Sequence, residues 1–142
     1  MSADPTPRPA AQAAPAHTYD YAIIRVVPRV ERGEMINVGV ILSCPDRSFL
    51  EARIELDEAR LRAFNPALDL DEVRAHLDTI PVTCRGGGEA GPIGALPQRA
   101  RFHWLVAPRS TIIQMSPVHT GRTDDPAAAI ERLLDRMVRT QQ

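Results

Sequence analysis

The chain has 142 residues, of which 44% are hydrophobic and 25% are charged, and its formal net charge is -1. This length predicts one domain with a single core, and the balanced charge argues against general binding to nucleic acid or to a membrane surface. All 17 basic residues are arginine. The absence of lysine excludes a phosphate-loop NTPase, a Schiff-base enzyme and a Ser–Lys catalytic pair.

The N-terminal segment, residues 1–18, is rich in proline and alanine and contains no continuous apolar run. This composition predicts a disordered tail. A signal peptide requires a basic start and an apolar stretch, and the segment has neither. The two cysteines, Cys44 and Cys84, lie far apart without a CxxC pair, so we expect reduced thiols and a cytoplasmic protein.

Residues 19–140 are expected to form a single domain that begins with an antiparallel meander. Apolar alternation predicts strands over 19–27, 36–43 and 49–56, joined by turns. Gly39 interrupts the second strand, which indicates a β-bulge or the close approach of another element. One face of the sheet is expected to be buried and the other exposed to water. The apolar residues of the second strand expected to share one face are Ile36, Val38, Val40 and Leu42.

After the third strand, the apolar residues recur at helical spacing instead of alternating. Asp57 predicts the start of one short helix and Asp69 the start of another, because each carboxylate can cap a first turn. The second helix is expected to end at Pro81. The Gly-rich residues 85–99 are expected to form a long loop. Residues 102–107 fit either a strand, in which Phe102 and Trp104 share a face, or a helix, in which Phe102 shares one with Leu105 and Val106, and we favour a short helix.

Residues 110–116 predict a fourth strand, and the last element is a helix. Asp125 is positioned to cap this helix, with Pro126 in its first turn. Its apolar stripe consists of Ile130, Leu133, Leu134, Met137 and Val138. The order of elements predicts an α+β fold, namely an antiparallel sheet of about four strands (the three-strand meander plus one later strand) with helices packed on one face.

One nucleotide-binding motif is matched in part. Gly86, Gly88 and Gly91 have the spacing of a dinucleotide-binding loop. That motif requires a helix immediately after the loop, because the pyrophosphate binds at the N-terminus of the helix. Pro92 and Pro97 occupy that stretch here. We therefore expect no cofactor.

Two further sets of polar residues are candidates, one for a hydrolytic site and one for a metal site. Ser110, His119 and Asp124 can be written as a hydrolytic trio, but no nucleophile-elbow motif supports it, and we expect no catalytic residue among them. A metal site built from His103, His119 and Asp124 stays open as an alternative. No short ligand spacing such as CxxC or HxxxH supports it, so we expect no metal.

Arginine supplies the most specific candidate site. Arg25 lies on an otherwise apolar strand face, and Asn37 lies near it on the next strand. Arg109 and His119 flank the predicted fourth strand. If the first and fourth strands are neighbours, these four residues line one end of the sheet, where arginine forks suit carboxylate or phosphate. The competing interpretation is a salt bridge from Arg25 or Arg109 to Glu34.

Several segments carry a resemblance to a known family. They are YDYAIIRVVP (19–28), ERGEMINVGVIL (31–42), RFHWLVAPRSTIIQ (101–114) and SPVHTG (116–121). Together they resemble the bacterial domain-of-unknown-function family number 3037 over roughly residues 19–138. The family has no assigned activity, so the resemblance implies no catalytic residue. Its members are often encoded beside a kinase-like protein of the HipA type, which implies an accessory role.

Two classes of function follow. The first is a non-catalytic cytoplasmic interaction module, for which the resemblance implies a HipA-like kinase as partner. The second is a small anion binder or hydrolase that uses Arg25, Asn37, Arg109 and His119. The neutral net charge and the low aromatic content disfavour nucleic acid as a ligand, and the longest apolar run is too short to cross a membrane.

Overall fold

The computed structural model describes residues 14–140, which contain five strands and four α-helices. The strands are β1 (His17–Val26), β2 (Ile36–Cys44), β3 (Phe49–Ile54), β4 (Ile113–Met115) and β5 (His119–Thr123). The helices are α1 (Glu58–Phe64), α2 (Leu70–Arg85), α3 (Gln98–Val106) and α4 (Pro126–Met137). The predicted α+β class is confirmed. Most of the predicted tail, residues 1–13, lies outside the described residues, and β1 already begins at His17.

All five strands belong to one antiparallel sheet. The strand order is β3-β2-β1-β4, and β5 also pairs with β1. β4 lies beside residues 24–26 of β1, and β5 lies beside residues 17–21, so the two short strands follow one another along the same edge of β1. The sequence HTGRT of β5 lacks the apolar alternation that marks a half-buried strand. For this reason the prediction of about four strands missed β5.

A β-bulge divides β2 between the two faces of the sheet. The pairing of β2 with β1 skips Val38, next to Gly39. Before the bulge, Ile36 and Val38 pack into one core. After it, Val40 and Leu42 pack into the other. The bulge predicted at Gly39 is confirmed, and it makes the prediction of one shared face wrong, because an extra residue reverses the alternation.

Helices cover both faces of the sheet. One face packs against α1, α2 and α3 in a first core, to which these helices contribute Leu61, Leu70, Val73, Leu77, Ile80, Cys84, Phe102 and Leu105. The other face packs against α4 in a second core, to which α4 contributes Ala129, Ile130, Leu133 and Leu134. The expectation of helices on one face and water on the other therefore needs correction. Because β2 is apolar on both sides, both sides must be covered.

The predicted starts of three helices are confirmed. The side chains of Asp57, Asp69 and Asp125 each accept a hydrogen bond from a backbone N–H of the first turn of α1, α2 and α4, respectively. Such caps are local interactions, so the sequence alone locates them. None of the helices within residues 14–140 is long and apolar enough to cross a membrane.

The end of α2 differs from the prediction. The helix continues through Pro81 to Arg85. Thr83 and Cys84 are buried beyond the proline, and the Arg101 guanidinium donates hydrogen bonds to the carbonyl oxygens of both residues. This burial and capping offset the hydrogen bond that a proline removes from a helix.

The segment predicted as a loop over 85–99 is also more regular than expected. It contains two short 3-10 helical turns within Gly88–Ala95, separated by a kink at Gly91, and α3 begins at Gln98. The short helix predicted over 102–107 is confirmed as part of α3. This helix carries the residues that line the candidate site.

Candidate functional site

The structure brings together two of the four predicted site residues. Arg25 of β1 lies opposite Asn37 of β2, and Arg25 Nε donates a hydrogen bond to Asn37 Oδ1 at 3.3 Å. Asn37 Nδ2 donates to the Met137 carbonyl oxygen at 2.9 Å. Both side chains are half-buried. The pair therefore joins the sheet to the C-terminal end of α4.

The other two predicted site residues lie apart from this pair. Arg109 folds back on α3, where Nη2 donates to the Trp104 carbonyl oxygen at 2.7 Å and Nη1 donates to the Leu105 carbonyl oxygen at 3.2 Å. Its guanidinium lies 4.5 Å from the centre of the Trp104 ring. The His119 ring packs 5.4 Å from the Tyr21 ring. Within residues 14–140, no hydrogen bond or ion pair joins either residue to the first pair.

The salt bridge to Glu34 that was the competing interpretation does not form. Glu34 pairs with Arg32, and the two side chains are 51% and 55% exposed. The hydrogen bond from Arg32 holds the pKa of Glu34 below its ordinary value. Replacing Arg25 or Arg109 therefore does not strand Glu34.

We expect Arg25→Gln to leave the response of the protein to phosphate unchanged. Arg25 is held by Asn37, and Arg109, its expected second cation, is engaged on α3. Thermal melts of wild type, Arg25→Gln and Arg109→Gln in phosphate and in chloride, at matched ionic strength, measure this. A phosphate-specific stabilisation of wild type by about 1 kcal/mol or more, absent from Arg25→Gln, would contradict the expectation.

The hydrolytic trio and the metal set are not assembled in the described residues. Asp124 Oδ1 accepts a hydrogen bond from the Ala16 backbone N–H at 2.9 Å, which ties the start of β1 to the end of β5. His119 packs on Tyr21, as described above. In the part of the chain that the structure describes, no three His, Cys, Asp or Glu side chains converge to hold a metal ion.

Neither cysteine is suited to be a nucleophile. Cys44 and Cys84 are both free and buried. Burial raises the pKa of the Cys84 thiol to about 12, and burial also raises the pKa of the Cys44 thiol. Because the thiolate is the reactive form, thiols with raised pKa values are inert near neutral pH.

An ion pair that the sequence does not predict fixes α3 on the sheet. Arg99 contacts the Asp20 carboxylate and donates to Ser43 Oγ at 2.8 Å. Thr120 Oγ1 donates to Asp20 Oδ1 at 2.6 Å. Burial by itself raises the pKa of Asp20, but the hydrogen bonds from Thr120 and Arg99 and the charges of Arg99 and His103 hold it below its ordinary value. The network therefore stabilises the charged carboxylate and holds α3 in place.

α3 carries Trp104 to a groove beside β4. Two adjoining pockets of about 290 and 430 Å³ form this groove, and they share Arg109, Gln114 and Met115. We call it the α3–β4 groove. Its main lining residues are Ile80, Trp104, Arg109, Ile113, Gln114, Met115 and Val118.

The groove combines exposed apolar surface with one positive charge. Trp104 is 42% exposed and Val118 is 44% exposed. Arg109 is exposed, and no carboxylate of residues 14–140 lies within ion-pair distance of it. Concave, mostly apolar surfaces with a few polar groups are typical of binding sites. Trp104 was not singled out from the sequence. The sequence does contain a signal for its exposure: the buried residues Phe102 and Leu105 are three positions apart, and this spacing leaves Trp104 on the outer face of α3.

The fold and the groove define a small α+β domain with a surface suited to binding. The chain matches the family model described as Protein of unknown function (DUF3037) over residues 21–138 and belongs to that family. The resemblance predicted from the sequence is thereby confirmed, and the family has no assigned activity. No curated protein and no solved structure matches the chain.

Proposed function

We propose that the protein is a non-catalytic interaction module of the cytoplasm and that the α3–β4 groove is its binding surface. The observation that carries the proposal is the exposed Trp104 beside Arg109, over an apolar floor. Tryptophan and arginine are the side chains that most often dominate the energy of protein interfaces. The inert thiols and the dispersed polar residues support a role in binding over a role in catalysis.

The shape of the groove favours a protein segment as the ligand. Its two pockets adjoin through Arg109, Gln114 and Met115, so the surface is elongated. An elongated apolar surface on which Arg109 is the one arginine among the described lining residues suits an extended chain better than a compact small molecule. Family association supports a kinase-like protein of the HipA type as the partner to test first.

The proposal predicts that Trp104→Ala and Arg109→Gln each weaken binding of a purified HipA-type kinase-like protein at least tenfold. A tenfold change corresponds to about 1.4 kcal/mol, which is within the range of interface hot spots. Isothermal titration calorimetry with the full chain measures the dissociation constants. Thermal melts of each variant establish that it is folded.

Met35→Ala is the matched control. Met35 is 44% exposed, close to the exposure of Trp104, and does not line the groove. We expect this variant to bind as wild type does. The proposal is wrong if wild type does not bind the kinase-like protein, or if Trp104→Ala and Met35→Ala bind equally well.

A further inference from the structure

We infer that the groove holds its partner as an extended acidic segment that adds a strand to the free edge of β4. This inference rests on the proposed function, because it specifies how the α3–β4 groove engages a partner. Strand addition uses backbone hydrogen bonds for affinity and side-chain pockets for specificity. Both components are present beside β4.

The hydrogen bonds of β4 show which backbone groups are free to pair. The Ile112 carbonyl oxygen accepts from the Val27 N–H at 2.7 Å, and the Ser116 N–H donates to the Ile23 carbonyl oxygen at 2.9 Å. Residues 112, 114 and 116 therefore turn their backbone groups toward β1. Met115, between them, turns its N–H and carbonyl oxygen outward, and no strand within residues 14–140 pairs with that edge.

The edge formed by β3, on the opposite side of the sheet, is protected against pairing with another strand, whereas the edge formed by β4 is not. At that edge β3 carries Arg53, which forms ion pairs with Glu51 and with Glu131 of α4. Charged side chains on an edge strand are a common means of preventing unwanted pairing. β4 has the sequence Ile-Gln-Met and carries no charge. Its edge is therefore better suited than that of β3 to receive another strand.

The charge of the groove determines the chemistry of the segment. Arg109 donates only to backbone carbonyl oxygens of α3 among the described residues, and its charge is not neutralised there. The other ionisable residue of the groove, His76, lies 3.9 Å from Glu72. A carboxylate on the added strand would pair with Arg109. Because side chains alternate along a strand, apolar residues two positions from that carboxylate would lie on the same face and reach Trp104 and Ile113.

A displayed library of short random peptides, selected on the full chain, tests the inference. We expect the enriched peptides to carry an acidic residue with apolar or β-branched residues two positions before and after it. Their binding should fall at least tenfold in Arg109→Gln and at least tenfold in Met115→Pro. The proline removes only the outward N–H, because the bonds to β1 come from residues 112, 114 and 116. Met115→Leu keeps the N–H and is the matched comparison, and we expect it to bind the peptides at least tenfold more tightly than Met115→Pro does.

Each outcome separates the inference from the proposed function. Enriched peptides that bind Met115→Pro as tightly as Met115→Leu overturn strand addition, yet their loss on Trp104→Ala would still support the groove. If the selection enriches basic peptides, or enriches no peptide, the inference of an acidic extended segment is wrong, even if the kinase-like protein binds. If Met115→Pro does not fold, amide hydrogen exchange of wild type decides. Peptide binding must then slow exchange at the Met115 N–H, and unchanged exchange overturns the inference.

Discussion

Leu134→Ala is expected to lower the free energy of unfolding by about 2–5 kcal/mol. Leu134 is 1% exposed and belongs to the second core, where α4 packs under β1 and β2. Truncation removes apolar contacts and leaves a cavity. The central strands above it are hydrogen-bonded on both sides and cannot collapse into the space. Urea titration of both proteins measures the change.

Met137→Ala is the control for Leu134→Ala. Met137 lies on the same helix and is 37% exposed. Its truncation should change the free energy of unfolding by no more than about 0.5 kcal/mol. Equal midpoints for Leu134→Ala and wild type would mean that α4 contributes little to the stability of the sheet.

The sequence located α4 well because its signals are local and agree with one another. The Asp125 cap, Pro126 in the first turn and the apolar stripe all lie within one short segment. The face of the sheet that α4 covers could not be predicted in the same way. That face depends on the bulge at Val38–Gly39, where a single skipped residue moves Val40 and Leu42 into a separate core.

The candidate site was predicted only in part, because polar residues find their partners through tertiary structure. Arg25 and Asn37 lie on neighbouring strands, so their proximity followed from the meander. Arg109 was expected at the start of a strand over 110–116, but β4 begins only at Ile113, and Arg109 instead folds back on α3.

Contacts between residues far apart in the chain could not be predicted from local sequence patterns. Asp20 and Arg99 are 79 positions apart in the chain. Thr120, the other partner of Asp20, lies on the unpredicted strand β5. Without β5 in the predicted sheet, nothing in the sequence joins these residues.

Gly39→Ala is expected to destabilise the protein by about 3 kcal/mol, at the upper end of the usual cost of overpacking. A Cβ atom at this position would lie 2.6 Å from the Arg53 carbonyl oxygen and 3.1 Å from Cδ1 of Ile24. The isoleucine side chain can move, but the carbonyl belongs to the backbone of β3. Residues 39–44 of β2 pair with β3 along its whole length, so relief of the contact requires the two strands to separate near Ile54.

Gly88→Ala isolates this effect from the general consequences of replacing glycine. A Cβ at Gly88 would meet no atom within 4 Å, and φ at this residue is not positive. The substitution should therefore change stability by less than about 1 kcal/mol. Urea titrations of the two variants give the difference, and amide exchange across β2 and β3 shows where it arises. Because the predicted clash lies between these strands, faster exchange should begin at the Ile54 end of their pairing. If Gly39→Ala and Gly88→Ala are equally stable, the sheet accommodates a side chain at the bulge, and the close approach of β3 does not explain the glycine.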